Sequence, residues 1–136
     1  MVAGVRQWGP SKAAPDAVPA ELKAVATAEC ERLISQVFRP RYLTEIRVTE
    51  FNYPVAIGGK WRGRSFTFST RYRSGFDDNR GEEFDAPFSR IEYAGGGLWN
   101  VGWFRHTGKW FTIERSLPLA AAIAVIETRG LLHPNI

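Results

Sequence analysis

The connections between residues 47 and 115 constrain this chain more than any other feature. Gly58-Gly59, Gly95-Gly96-Gly97 and Thr107-Gly108 interrupt runs rich in aromatic and β-branched side chains. A parallel crossover takes a dozen or more residues, whereas a two-residue turn with positive φ closes a hairpin. Strands are therefore expected at 47–57, 60–73, 88–94, 98–106 and 109–115, each antiparallel to the next. The one long connection, 75–87, is polar and acidic and reads as a loop. Pro54 has no N–H to give to a ladder, which places the first strand at a sheet edge. A turn at Gly58-Gly59 sets Phe51 opposite Phe66, Thr49 opposite Phe68 and Tyr53 opposite Arg64. Phe51, Phe66 and Phe68 then share the core face, and Ser65, Thr67 and Ser69 face the other way.

Helices flank this meander. Over 19–38, Ala26, Cys30, Leu33 and Val37 recur at helical spacing, with Leu22 and Ile34 beside them. Pro19 suits the first turn, and the step Arg39-Pro40 is expected to end the helix, because a residue before proline avoids the α region. A second helix is expected over 116–129, with Leu119, Ala122, Ile123 and Ile126 on one stripe and Gly130 as its stop. Residues 1–18 have no periodicity and read as a flexible tail in which Trp8 is the one large apolar group. Residues 19–136 read as a single α+β domain: N-terminal helix, five-stranded antiparallel β-meander, C-terminal helix. At 136 residues with 44% hydrophobic content, a core needs no staples. Cys30 is the single cysteine, so no disulfide forms within the chain. With no apolar run of membrane length and no secretory leader at residues 1–8, a cytoplasmic location is expected, with no membrane partner.

The densest segment is Trp99-x3-Trp103-x-Arg105-x3-Lys109-Trp110. A turn at Thr107-Gly108 sets Arg105 opposite Trp110, Phe104 opposite Phe111 and Trp103 opposite Thr112. Alternation then gives Leu98, Phe104, Phe111 and Ile113 to the core and gathers Trp99, Val101, Trp103, Arg105 and Trp110 on the other face. Two readings of that face stay open. In one, a terminal helix covers it and Arg105 stacks on Trp110 as a local cation–π pair. In the other, it is open and stacks a planar ligand or single-stranded bases, with Arg62, Arg64 and Arg71 collecting phosphate. The candidate binding residues are thus Trp99, Trp103, Arg105, Lys109, Trp110, Arg62, Arg64 and Arg71.

Charge is uneven along the chain. Residues 39–73 carry eight basic and two acidic side chains, a net of +6, whereas 77–92 carry six acidic and two basic, a net of −4. Such a dipolar surface steers an anionic partner, or is simply two solvated faces. His106 and His133 have no Cys, Asp or Glu at ligand spacing, so no metal is expected. The loop from Asp77 to Glu83 has its glycine out of place for a calcium loop. Cys30 lies between Glu29 and Glu31 on an apolar face, which suits a buried small hydrophobe and not a nucleophile. No phosphate cradle or cofactor loop is present.

Pro87-x5-Tyr93 followed by the tryptophan hairpin resembles the signature of an uncharacterised family of short bacterial proteins, known only as a domain of unknown function. The opening helix with its Arg-Pro step and the closing helix resemble that family too. The resemblance implies the fold over residues 20–130 and a bacterial source, and leaves activity open. The preferred functional expectation is a non-catalytic binding module using the Trp/Arg-rich sheet face, with single-stranded nucleic acid or a protein as partner. The alternatives are a small enzyme with a pocket between sheet and helices, using His106, Arg105 and an acid such as Glu92 or Glu114, and a homodimeric structural subunit joined through the tryptophan face.

Overall fold

The computed structural model describes residues 17–136, so the expected tail, Trp8 included, lies outside the described residues except for Ala17 and Val18; Val18 packs against the core. The chain opens with α1 (Ala20–Arg32), a π-helical turn (Leu33–Phe38) and α2 (Arg39–Tyr42), which run on without a break. Then come β1 (Asn52–Arg62), β2 (Ser65–Ser74), β3 (Glu83–Gly95), β4 (Leu98–Phe104) and β5 (Trp110–Pro118), followed by α3 (Leu119–Thr128) and a 3-10 turn (Gly130–Leu132). The five strands form one sheet in sequence order, each pair antiparallel, with β1 at an edge. The fold is α+β. Among the described residues no helix is long and apolar enough to cross a membrane.

Arg39-Pro40 does not end the first helix. Arg39 keeps helical angles (φ −61°, ψ −49°), and its N–H reaches back to the Ile34 carbonyl, five residues earlier. This wider turn restarts the hydrogen-bond ladder, so Pro40 falls in the first turn of α2, where its missing N–H costs nothing. The extra residue also carries Phe38 into the core, where a 3.6-residue period had placed Val37.

The first hairpin turns at Gly63-Arg64 and not at Gly58-Gly59. Arg62 faces Ser65, Trp61 faces Phe66 and Tyr53 faces Arg73. Gly63 supplies the positive φ (58°) that a two-residue hairpin loop needs. Gly59 serves a different purpose. It lies within β1 opposite Phe68, and a Cβ there would overlap the Phe66 ring. Phe66 and Phe68 are buried as expected, whereas Phe51 is exposed. Between Ala56 and Arg62 the slip along the ladder is an even number of residues, so the faces there are preserved; the register shift between Pro54 and Ala56 makes it odd for Asn52, Tyr53 and Pro54.

Residues 83–87 are strand and not loop. Arg71 faces Asp85 and Arg73 faces Glu83, and both pairs form ion pairs, at 3.0 and 2.8 Å. Pro87 is tolerated because the register shifts beside it, leaving Phe88 to turn inward onto Phe68. The last strand likewise runs on to Pro118, so α3 starts three residues later than expected. Ser116 takes a positive φ (55°), and its N–H donates to Asn100 Oδ1 at 2.9 Å.

Both ends of the chain cover one face of the sheet. Trp61 Nε1 donates to Thr27 Oγ1 at 2.9 Å, tying β1 to α1, and Arg39 Nε donates to the Ile57 carbonyl at 3.1 Å. α3 packs on β4 and β5 through Ala122, Ile123 and Ile126. His133 joins the two ends. Its Nε2 lies 2.9 Å from the carbonyls of Ile126 and Glu127, which only accept, so this nitrogen carries the proton. The Tyr42 hydroxyl then donates to Nδ1 at 2.6 Å.

Two stability predictions follow from this packing. Gly59→Ala should cost about 1–3 kcal/mol by overpacking, whereas Gly58→Ala, with open space at its Cβ position, should stay within about 0.5 kcal/mol; urea unfolding of the pair decides. Tyr42→Phe leaves the buried His133 Nδ1 without its donor and should cost about 1–3 kcal/mol in the same assay.

Candidate functional site

The second face of the tryptophan hairpin is set by its loop. The Gly108 N–H donates to the Arg105 carbonyl and the Arg105 N–H to the Lys109 carbonyl, both at 2.9 Å, with Gly108 at φ 84°. The loop is thus three residues, His106 to Gly108, closed by a glycine bulge. An odd loop moves the register by one: Phe104 faces Trp110, and Trp103 faces Phe111. The expected pairing of Arg105 with Trp110 is not formed, and the expected single tryptophan face does not exist. Trp99 is 1% exposed and lies in the core against Tyr93 and Trp61, at centroid distances of 5.1 and 6.2 Å. Val101 is buried beside it. Trp103 and Phe111 share this inner face, while Phe104 and Trp110 pair on the outer one, 4.9 Å apart.

The cation–π partners change accordingly. The Arg105 guanidinium lies 4.9 Å from the Phe111 ring and 5.6 Å from that of Trp103. The Trp110 ring is instead taken by Arg90, at 4.2 Å. Of the eight candidate residues, the fold therefore brings Trp103 and Arg105 together on the inner face. It places Trp110, Arg62 and Arg71 on the outer face, Arg64 in the β1–β2 turn, and Lys109, exposed, at the end of the hairpin loop.

On the inner face the helices leave part of the sheet bare. The result is a cleft of about 670 Å³. Its walls include Tyr72 and Phe84, stacked at 5.6 Å, together with Phe88 and Trp103, and the C-terminal stretch 130–135 closes one side. Arg105 and His106 stand at the rim. Arg105 Nε is buried yet has no hydrogen-bond partner among the described residues, although an unmatched buried donor costs on the order of 1–3 kcal/mol. Burial raises the pKa of Tyr72 above its ordinary value. His106 is exposed and has no hydrogen-bond partner among the described residues. The acids named for it lie elsewhere: Glu92 pairs with Arg64 at 3.8 Å and Glu114 with Arg129 at 2.7 Å.

Sequence reasoning missed Tyr72, Phe84 and Phe88 as wall residues, because Phe84 and Phe88 were hidden in or beside an apparent loop. It also missed Arg90. A base within an acidic stretch was the available signal, but its partner Trp110 lies two strands away. Cys30 is fully buried, and desolvation, then Glu31 and Glu29, push its thiol far above the ordinary range, so it stays a thiol. Among the described residues no cluster of three or more His, Cys, Asp or Glu side chains is placed to hold a metal ion.

In comparison with protein families, the model of a domain of unknown function, DUF3024, matches residues 17–133. The chain belongs to the DUF3024 family. No curated protein and no solved structure matches it. The DUF3024 match takes in every strand, the loop that carries Arg105 and His133 at its last position, so only Pro134 and Asn135 of the cleft wall lie beyond it.

The outer face is a charged surface in which Arg71 contacts both Asp85 and Glu83, and Arg73 contacts Glu83. Hydrogen bonding from Arg73 holds the Glu83 carboxyl below the ordinary carboxylate range, and the same bond raises Arg73. Because the folded value lies below the unfolded one, this contribution is complete above the unfolded value and is lost as pH falls through the folded value. Glu83→Gln is expected to flatten that part of the acid limb in urea midpoints measured across pH. An acid limb identical to that of the parent protein would show that Glu83 does not contribute to it.

Proposed function

We propose that this protein is a non-catalytic binding module whose ligand site is the inner cleft, and that it takes a small flat apolar molecule carrying an acidic group. The observation that carries this reading is Arg105. Its guanidinium is laid across Trp103 and Phe111 with a buried, unmatched Nε at the rim of an aromatic-walled cleft. A volume of this size suits a small molecule, aromatic walls supply the contact area, and one placed cation supplies orientation. An acidic group at Arg105 forms a charge-assisted pair in a partly desolvated position, where such pairs are strongest. The tail aside, residues 19–136 act as one unit in this reading. Cysteine use supports a reducing, cytoplasmic setting, and the resemblance read from the sequence supports a bacterial source.

Naphthoate, a flat carboxylate, serves as the probe. Saturable binding is expected in calorimetry, with amide shifts at Phe88, Trp103 and Arg105. Arg105→Gln should weaken it by about tenfold or more, the loss of one hydrogen-bonded charge, while the urea midpoint moves little. Naphthalene without the carboxylate should bind less tightly than naphthoate to the parent protein and equally to both proteins. Equal naphthoate affinity in the parent and Arg105→Gln proteins would overturn the proposal.

A further inference from the structure

A second site lies on the opposite face of the sheet. Arg90 sits on β3, the central strand, flanked by Thr67 of β2 and Gly102 of β4. A Cβ at position 102 would come 3.2 Å from Arg90 Cγ and 3.5 Å from the Trp110 ring. The glycine therefore opens a lane along which the Arg90 stem runs to lay its guanidinium on Trp110, at 4.2 Å. Beside it is a hollow of about 210 Å³ whose lining includes Arg62, Ser65, Thr67, Ser69, Asp85, Arg90 and Trp110.

The charges of this hollow do not balance. Arg62 is exposed and makes no ion pair among the described residues. Asp85 is already bidentate to Arg71, through bonds of 3.0 and 3.3 Å. Glu92 faces Arg64 at 3.8 Å. Desolvation lowers the pKa of Arg90; Glu92 works against that shift, and the like charge of Arg64 adds to it. The missing partner is an anion. Two guanidinium forks beside three hydroxyl-bearing side chains match the tetrahedral oxygens of a phosphate, for which arginine gives paired, directional donors.

We propose that the hollow formed by Arg62, Ser65, Thr67 and Arg90 is a phosphate-binding site. It is separate from the cleft and lies on the other side of the sheet. The phosphate belongs either to a free phosphorylated molecule or to a single-stranded nucleic acid backbone. In both cases the recognised group is the same, and Trp110 is the adjacent surface on which a base or other flat moiety could rest once Arg90 turns to the anion.

The test uses the full chain at low salt with two probes, inorganic pyrophosphate and a short single-stranded oligonucleotide, followed by calorimetry and by amide shifts at Thr67, Arg90 and Gly102. Saturable binding of at least one probe is expected. Arg90→Met keeps an apolar stem over Trp110 but removes the charge, and Arg62→Gln changes an exposed side chain that the fold does not need. At least one of them, with the fold verified by its amide spectrum, should lose about tenfold or more in affinity. Arg129→Gln removes the same charge at a distant position and should leave affinity within about twofold, as expected for a remote exposed charge. Tighter oligonucleotide binding that falls steeply with salt assigns the phosphate to a nucleic acid backbone. Pyrophosphate binding as tight or tighter assigns it to a free phosphorylated molecule. The proposal is overturned if neither probe binds saturably, if neither folded variant weakens binding, or if Arg129→Gln weakens it as much as they do.

Discussion

The ring of Phe38 meets Phe68, Phe88 and His133 edge-on, at centroid distances of 5.7, 5.5 and 5.2 Å. These groups come from the first helix, two neighbouring strands and the C-terminal stretch. Few other side chains could join all of them, and Phe38 can do so because the helix widens to π spacing just before it. An ordinary α turn would have offered Val37, with a smaller side chain at a different angle. The same turn lets Pro40 pass without breaking the helix, so Tyr42 arrives one turn later within reach of His133. A local irregularity in the helix thus links the beginning of the fold to its end, in keeping with the observation that π turns in helices mark positions under special demand.

This arrangement has a consequence for the sheet. The helices press on the inner face where Ile57, Phe66, Ile91 and Trp99 lie, but the C-terminal stretch, held by His133, stands off from the far end of β3. Tyr72, Phe84 and Trp103 are left lining a cleft and not buried under a helix. Arg105 reaches the rim because the hairpin loop has three residues and returns β5 one position earlier than a two-residue loop would. The cleft is therefore a by-product of how the two ends are fastened, and not of any motif in the strands that line it.

The outer face follows a different logic. No element among the described residues covers it, and apart from the Phe104–Trp110 pair it carries many charged side chains matched across strands: Arg71 to Asp85 and Arg73 to Glu83 are direct cross-strand partners. Exposed pairs of this kind contribute little each, about 0–1 kcal/mol, but they fix the register of β2 and β3 by penalising like-charge alternatives. Where matching fails, around Arg62 and Arg90, a positive hollow remains next to Trp110. Of the basic charge run, Arg64, Arg71 and Arg73 thus pair with acids of the stretch that follows, whereas Arg62 makes no ion pair among the described residues.

How much of this was legible depends on parity. Misplacing the first turn at Gly58-Gly59 moved the register by an even count from Ala56 to Arg62, so the faces opposite Phe66 and Phe68 survived there, while the irregularity between Pro54 and Ala56 made the count odd beyond it. In the last hairpin the error was a single residue, which exchanged the partners of Arg105 and Trp110 and dissolved the tryptophan face. The acidic stretch hid the start of a strand because charge and a proline imitate a loop, and its strand character rests on complementary arginines ten to fourteen positions away. By itself the sequence determined the α+β class, the order and antiparallel sense of the strands and the apolar stripes of both helices, since these follow from connection length and local periodicity. Only the tertiary structure decided which face each aromatic joins, where the cleft opens and which arginine sits on which ring, because those depend on contacts between residues far apart in the chain, which no local pattern encodes.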